Sequence, residues 1–453
     1  MVTAADPAAH QGLQPKQMRK LMAAGLVGAS SEWYDFFIYS TAAALVFGPV
    51  FFPDATPIIG TLLAFSTFWA GFIARPLGGV VFGLVGDRIG RKRAVVTCLV
   101  IGTAATVLIG CLPTAGQIGV LAPILLVLLR FVQGIAVGGQ WGGVILLLTE
   151  SAMPGRRGRA GAFAQMGVPG GLLLGTAAFL VVAAVVPDDA FTSWGWRIPF
   201  WGSALLLPVV LYIHLRVEET PVFQEIKRAA EENAKTTQQV QKAPVRDAIR
   251  SEWRTILLIA GALASNTAVF YIGTAGVLAY GTAELGMEYD SLLMVSLVSS
   301  LIGIFVIYLA GSASDRIGRK PLLLAGGIVL VVWAFPYFWL VDTGSLWWVF
   351  VAVSVGGVAT SIMYGPYAAF ISELFRPNVR YSGMSIAYQM VSVVVSGGTP
   401  FIMTSLIATF GTSAAVSVFI LVIGLISLGC IFALRETHHP HERPRGAAPG
   451  ETG

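Results

Sequence analysis

Charge is what this sequence has least of. Only 12% of its 453 residues are Asp, Glu, Lys or Arg, against 55% hydrophobic residues and a mean hydropathy of +0.75. That deficit excludes a soluble globular chain and places most of it in lipid. Cysteine is scarce too: Cys98, Cys111 and Cys430 fall inside apolar runs with no CxxC spacing, so they read as small core residues rather than disulfides or metal ligands. No histidine lies mid-membrane, since His214 closes an apolar run and the others sit in the tails; a histidine proton relay is excluded. The sequence holds no metal-ligand cluster, phosphate loop or nucleophile constellation, so neither an enzyme nor a bound cofactor is expected. No small-residue cleavage pattern follows the first apolar run, and a cleaved signal peptide is not expected.

What is there is long apolar stretches. They are continuous rather than alternating, and lipid permits only helices or closed barrels, so helices are expected. Twelve runs are legible: 21–49, 57–85, 94–113, 120–150, 161–186, 197–215, 254–281, 289–313, 321–341, 345–373, 382–409 and 412–434. The expected fold is an all-α polytopic membrane protein of two pseudo-symmetric six-helix bundles. Its parts are a tail (1–20), a bundle (21–215), a connection (216–253), a second bundle (254–434) and a tail (435–453). Thr220-Pro221 is a helix start, so part of the connection is expected to lie as a helix on the membrane surface. The tails, rich in Ala, Pro, Gly and His, read as disordered, and His438, His439 and His441 as a solvated cluster.

Of the 29 Lys and Arg residues, only Arg75, Arg130 and Arg197 fall outside the tails and the connections that follow even-numbered runs. The opposite loops carry Asp54, Asp188, Asp189, Glu284, Glu288, Asp290 and Asp342. This positive-inside pattern puts both termini in the cytoplasm, with the chain in the cell (inner) membrane. The basic pI of 9.1 therefore reflects topology, and no nucleic-acid partner is expected.

The halves repeat. Gly83–Lys92, ending Asp87-Arg88-Ile89-Gly90-Arg91-Lys92, recurs as Gly311–Lys320, ending Asp315-Arg316-Ile317-Gly318-Arg319-Lys320. Glu150 precedes Arg157 by seven residues, as Glu373 precedes Arg380. Pro169-Gly170-Gly171 interrupts the fifth run and Gly397-Gly398-Thr399-Pro400 the eleventh, and Arg, Glu, Thr and Pro close both halves in the same order. Such repeats mark transporters that rock one bundle against the other around a central site.

The repeated turn, Arg130-x-x-Gln133-Gly134 and the six-plus-six arrangement resemble the major facilitator superfamily. More narrowly, Glu32-Trp33-Tyr34-Asp35-Phe36, Arg75-Pro76-Leu77-Gly78-Gly79, Ser193–Pro199 and Glu218-Glu219-Thr220-Pro221 resemble its metabolite:proton symporter family. The resemblance covers about residues 20–437. It implies import of shikimate, 2-oxoglutarate, citrate, proline or glycine betaine with protons. Tyr34-Asp35-Phe36, Thr41–Phe47 and Trp141-Gly142-Gly143 read most like its shikimate carriers. Where this family has Gly-Gly-Glu in the fourth helix, this chain has Gly138-Gly139-Gln140, and Gln140 cannot ionise.

A charge at the bilayer centre costs at least roughly 2.5–3.5 kcal/mol, so each needs a partner or a use. Asp35 lies about 20 Å into the first helix with Glu32 on the same face, Arg75 lies about 18 Å from Asp87, and Arg130 lies about 30 Å from Glu150. Two readings stand. The four form structural ion pairs, or they divide the labour: Arg75 and Arg130 fork onto a substrate carboxylate while Asp35 and Glu32 carry the proton. Tyr39, Gln140, Asn266, Tyr271, Tyr364, Tyr367, Tyr388 and Gln389 complete the expected wall. Asp87, Arg91, Glu150 and Arg157, with Asp315, Arg319, Glu373 and Arg380, form the expected gates, Arg157 and Arg380 partnering the two aspartates.

The resulting expectation is a monomeric carrier importing a small organic acid with a proton, its other partner being the lipid bilayer. A betaine carrier, favoured by the aromatic first helix, and a proton-coupled antiporter, suggested by Val168-Pro169-Gly170-Gly171, are the rival transport readings. A receptor or enzyme has no motif behind it.

Overall fold

The structure, a computed structural model, describes residues 15–89, 91–138, 145, 148–149, 152–153, 155–218, 244–376 and 379–438. Among these there is no strand. Six long helices form the first half: α1 (Pro15–Leu45), α2 (Pro57–Ile89), α3 (Arg91–Gly110), α4 (Leu121–Val137), α5 (Arg157–Val185) and α6 (Ile198–Glu218). Six more form the second: α7 (Arg250–Ala283), α8 (Tyr289–Ile317), α9 (Arg319–Val341), α10 (Leu346–Leu374), α11 (Ser382–Phe410) and α12 (Ala414–Ala433). Eight are long and apolar enough to cross a membrane by length and composition. Phe305, Val332, Leu205 and Phe432 stand 67–77% exposed on the outer surface, which suits lipid and not water. Trp339, Trp347 and Trp348 cluster at one end of α9 and α10, as interfacial tryptophans do.

The apolar runs and the helices differ where polarity and helicity part company. Helix α1 begins at Pro15, six residues before its apolar run, because Lys16, Arg19 and Lys20 extend the helix beyond its apolar part. The described end of the connection is helical from Pro244 and runs into α7, with a non-helical kink at Glu252 (φ −123°, ψ 18°) in its first turn. Thr220-Pro221 lies outside the described residues. Cys111 is exposed just past the end of α3, so it is not the core residue expected.

The proline–glycine interruptions take two forms. At Pro169 helix α5 continues, loosened only at Met166, since proline withdraws one backbone donor. In α11 the stretch before Gly397 widens into a π-helical turn, Ser392–Ser396, and α7 carries a similar turn at Ile272–Gly276. π-turns free backbone carbonyls from the regular ladder and often sit at functional sites.

Glycines set how closely α2 and α4 approach. A Cβ at Gly134 would lie 2.1 Å from the Gly71 carbonyl oxygen, one at Gly78 2.0 Å from that of Ile135, and one at Gly138 1.9 Å from that of Arg75. Backbone touches backbone at three levels, so the two helices move as one body. In the other half, Gly365 on α10 lies against the Ile307 carbonyl of α8 in the same manner.

Gly134→Ala is therefore expected to destabilise the protein by about 1–3 kcal/mol through overpacking, read as a lowered Tm in detergent. Gly28→Ala, with nothing within 4 Å of its added Cβ, is expected to leave Tm unchanged or raise it.

Candidate functional site: a cavity between the bundles

The α2–α4 pair carries both arginines. Arg75 is 3% exposed and Arg130 0%. Arg130 fits because Gly71 has no side chain: a Cβ there would lie 2.5 Å from the Arg130 Nε. The Arg75 guanidinium carbon stands 4.0 Å from the Phe36 ring centre and 4.4 Å from that of Phe72; Arg130 stands 4.1 Å from Phe36 and 4.2 Å from Tyr39. Each such contact offsets roughly 0.5–2 kcal/mol of desolvation. Among the described residues no carboxylate lies within 4.0 Å of either guanidinium. Arg75 Nε, Arg130 Nε and Arg130 Nη2 are buried without a hydrogen-bond partner. The reading of the four membrane charges as direct ion pairs does not hold.

Both acids of α1 stand close by without forming such a pair. The Ser203 hydroxyl of α6 donates to Asp35 Oδ1 at 2.6 Å. Glu32 lies in the field of Arg75 and of Asp35.

Between the halves lies a cavity of about 90 Å³. Trp33, Val168, Pro169 and Leu172 line it from the first half. From the second come Asn266, Tyr271, Ser296, Ser299, Ser300, Thr360, Ser361, Tyr364 and Tyr388. Asn266 Nδ2 donates to the Thr360 carbonyl at 2.6 Å, fixing its amide. Tyr271 and Tyr388 belong both to the cavity wall and to the electrostatic surroundings of Arg75.

Of the expected wall, Asn266, Tyr271, Tyr364 and Tyr388 line this cavity and three residues do not. Tyr39 turns its hydroxyl to Thr67 at 2.7 Å and its ring to Arg130. Tyr367 is buried and donates to the Ala262 carbonyl. Gln389 Nε2 donates to the Gly138 carbonyl at 3.0 Å, bridging the bundles. Gln140 lies outside the described residues. Sequence reasoning missed the serines and threonines of α8 and α10. The spacing of Ser296, Ser299, Ser300 and Gly303 along one helical face is the signal that could have found them.

On the side of the bundle that carries the start of α1 and the end of α12, the second repeated turn closes the gap. Asp315 accepts from the backbone N–H of Gly158 (2.8 Å) and Arg159 (2.9 Å), the first turn of α5, where donors lack intrahelical partners. Arg319 Nη1 lies 2.7 Å from Asp315 Oδ1 and its Nη2 3.3 Å from Glu373 Oε1. Arg157 and Arg380 are the expected side-chain partners of the two aspartates, but the Arg157 side chain is exposed, and at Asp315 the backbone donors one and two residues after Arg157 hold the carboxylate. Arg380 opens the helical turn leading into α11. Asp87 and Arg91 end α2 and start α3, and their side chains, like Glu150, lie outside the described residues.

The segment after α12 clasps this turn. Glu436 accepts from the backbone N–H of Arg319 (3.1 Å), Lys320 (2.9 Å), Thr437 and His438, and Thr437 Oγ1 donates to Glu373 Oε2 at 2.7 Å. The bundles also touch beyond the cavity: Trp69 Nε1 donates to the Val393 carbonyl in the α11 π-turn at 2.6 Å, and Phe191 stacks on Tyr289 at 5.3 Å. Contacts on both sides bracket the cavity.

A between-bundle cavity beside unpaired buried cations, in a twelve-helix chain whose halves repeat, defines a membrane transporter rather than an enzyme. The family model for the Major Facilitator Superfamily matches residues 27–399, and the chain belongs to that family. It is 37% identical over 417 residues to the shikimate transporter of Escherichia coli (strain K12), covering 92% of this chain and 94% of that one. It is 35% identical over 426 residues to the inner membrane metabolite transport protein YhjE of the same strain (93% and 94%). Against the proline/betaine transporter of Salmonella typhimurium (strain LT2) the figures are 30% over 436 residues (96% and 86%). Its fold matches the proton:xylose symporter XylE, solved with 6-bromo-6-deoxy-D-glucose, at a TM-score of 0.71 and 19% identity (94% and 98%).

Burial raises the Glu436 carboxyl, but the backbone donors of His438, Arg319, Lys320 and Thr437 outweigh it and hold the group below its ordinary value. The clasp's stabilisation is therefore fully present above the ordinary Glu range and is lost as pH falls through the depressed value. Hydrogen exchange of the Arg319 and Lys320 backbone amides, taken relative to the intrinsic rate at each pH, is expected to lose protection on acidification in the wild type, and in Glu436→Gln to be weakly protected at neutral pH already. Equal protection in both proteins at neutral pH contradicts the clasp.

Proposed function

We propose that the protein is a proton symporter that imports a small hydroxylated organic acid of the shikimate class, with both termini cytoplasmic. The observation that carries this is the pair of buried guanidinium groups with no carboxylate within 4.0 Å among the described residues. An isolated cation held in a dry site is stabilised when an anion arrives, and arginine presents a fork matched to a carboxylate. Arg75 shares its surroundings with Tyr271 and Tyr388 of the cavity wall, so a carboxylate held there leaves its ring facing the hydroxyls of α8 and α10. The shikimate transporter among the relatives agrees with that substrate class.

Asp35 and Glu32 supply the proton site, each close to an arginine without neutralising it directly. Substrate anion and proton then enter together, and the dry interior holds no uncompensated charge when the bundles rock. The Asp315–α5 contact closes the cytoplasmic side, with the Glu436 clasp bracing the turn that carries Asp315 from within the second half; rocking requires that the Asp315–α5 contact separate. A betaine reading draws on the aromatic wall and the proline/betaine relative, but a quaternary ammonium beside Arg75 meets a like charge.

Uptake of labelled shikimate into sealed liposomes containing the purified protein is expected to exceed equilibration only with an inward proton gradient, and chemically unchanged substrate is expected inside. Equilibration that ignores the gradient contradicts symport. Uptake of glycine betaine with no uptake of shikimate contradicts the acid reading.

A further inference from the structure

One buried hydroxyl on the cavity wall gives its proton to nothing. Tyr337, on α9, is 1% exposed and lines the cavity, and its phenolic oxygen has no hydrogen-bond partner among the described residues. Helix α9 packs chiefly on α10 and α12 of its own half, so a side chain from it reaches the cavity only through a gap. Two glycines leave that gap. A Cβ at Gly356 of α10 would lie 2.9 Å from Tyr337 Cε2, and one at Gly273 of α7 would lie 3.1 Å from the Tyr337 hydroxyl oxygen. The ring passes beside Gly356, and its polar tip ends over Gly273, itself part of the cavity wall and of the π-turn Ile272–Gly276. Val269 and Val353 of the same wall flank the two glycines, so the surroundings of the hydroxyl are largely apolar.

Packing alone does not account for a tyrosine here. Leu323, Gly326, Leu330, Ala334, Tyr337 and Val341 form the buried face of α9 at helical spacing, and Tyr337 is the polar member. Phenylalanine would fill the same space without burying an unpaired hydroxyl, which is costly in a dry interior. Tyr367, equally buried, follows the usual rule and donates to the Ala262 carbonyl. The aliphatic hydroxyls of the cavity are also spent as donors. Thr274, Ser300 and Thr360 give their protons to the carbonyls of Phe270, Ser296 and Gly357 on their own helices. Toward a ligand these three are acceptors, whereas Tyr337 still has a proton to give. A ligand hydroxyl matches that set, since it accepts from the phenol and donates to an aliphatic oxygen.

We propose that Tyr337 is a specificity-determining residue whose hydroxyl donates a hydrogen bond to a hydroxyl of the bound substrate. The proposal rests on the hydroxylated-acid reading above and names a residue that reads the hydroxyl. Arg75 and Tyr337 belong to opposite halves, so the carboxylate and the hydroxyl of one ligand are held by different bundles. A site with a buried hydrogen-bonding group rejects an analogue lacking the matching group, because the protein group is then left unpaired.

The test is equilibrium binding to the purified full-length protein, wild type and Tyr337→Phe, of two probes. One is shikimate; the other is cyclohex-1-ene-1-carboxylate, which keeps the ring and the carboxylate and lacks every hydroxyl. Tyr337→Phe is expected to weaken shikimate about tenfold and to leave cyclohexenecarboxylate within about twofold, so discrimination between the two narrows about tenfold. Without ligand, the Tm of Tyr337→Phe is expected to equal or exceed that of the wild type, because an unpaired buried hydroxyl has been removed.

Undiminished shikimate binding by Tyr337→Phe overturns the proposal and leaves the acid reading standing. A variant that weakens both probes alike assigns Tyr337 to packing and also overturns it. A wild type that does not bind shikimate overturns the hydroxylated-acid reading, and the role of Tyr337 with it.

Discussion

A guanidinium held in the middle of a membrane, with no carboxylate within 4.0 Å among the described residues, is the constraint on which the other features depend. Placing it there costs several kcal/mol, and the chain offsets only part of that with aromatic faces from α1 and α2. The remainder is left for a ligand to relieve. That requires a frame rigid enough to keep two cations from finding an acid of their own, although Asp35 and Glu32 are near. The glycine contacts between α2 and α4 supply the frame, since backbone packed on backbone at three levels leaves the arginines no route to drift.

The division between the halves follows. Set by the repeated aspartates, the position in the second half that matches Arg75 is Gly303, which lines the cavity beside Ser300 and Ser361. The first half therefore holds charge and the second holds space and hydroxyls. On the proposed mechanism, rocking one against the other would couple an electrostatic grip to a polar surface that reads the rest of the ligand. At the closing edge the chemistry is different in kind. Asp315 completes the N-terminus of α5 in the opposite bundle, and a helix end meeting a single carboxylate is strong when aligned and gone when displaced. That behaviour suits a contact that must form and break in each cycle.

Much of this was legible in the sequence, because lipid narrows the choices. Continuous apolar runs predict helices, and twelve helices of the major facilitator fold are what the structure holds. Arg75, Arg130, Asp35 and Glu32 announce themselves as charges in apolar runs, and the structure gathers all four around one region. What sequence does not reveal is who pairs with whom. Tyr39, Tyr367 and Gln389 are polar and mid-helix like Tyr271 and Tyr388, yet they spend their hydrogen bonds on Thr67, Ala262 and Gly138. A hydroxyl's direction depends on helix rotation in the packed bundle, which a single sequence does not carry. That Asp315 is held by the backbone of Gly158 and Arg159 rather than by a loop arginine has a related reason, since backbone donors leave no mark on residue type.

The measurement that bears most directly on the unpaired-cation account is equilibrium binding of shikimate to the purified protein, compared between wild type, Arg75→Lys and Arg75→Gln. A fork that grips a carboxylate predicts a loss of about tenfold for lysine, some 1.4 kcal/mol, because a point charge replaces two parallel donors, and a larger loss for glutamine. Undiminished binding by Arg75→Gln would contradict the account, leaving Arg75 as a packing residue surrounded by rings.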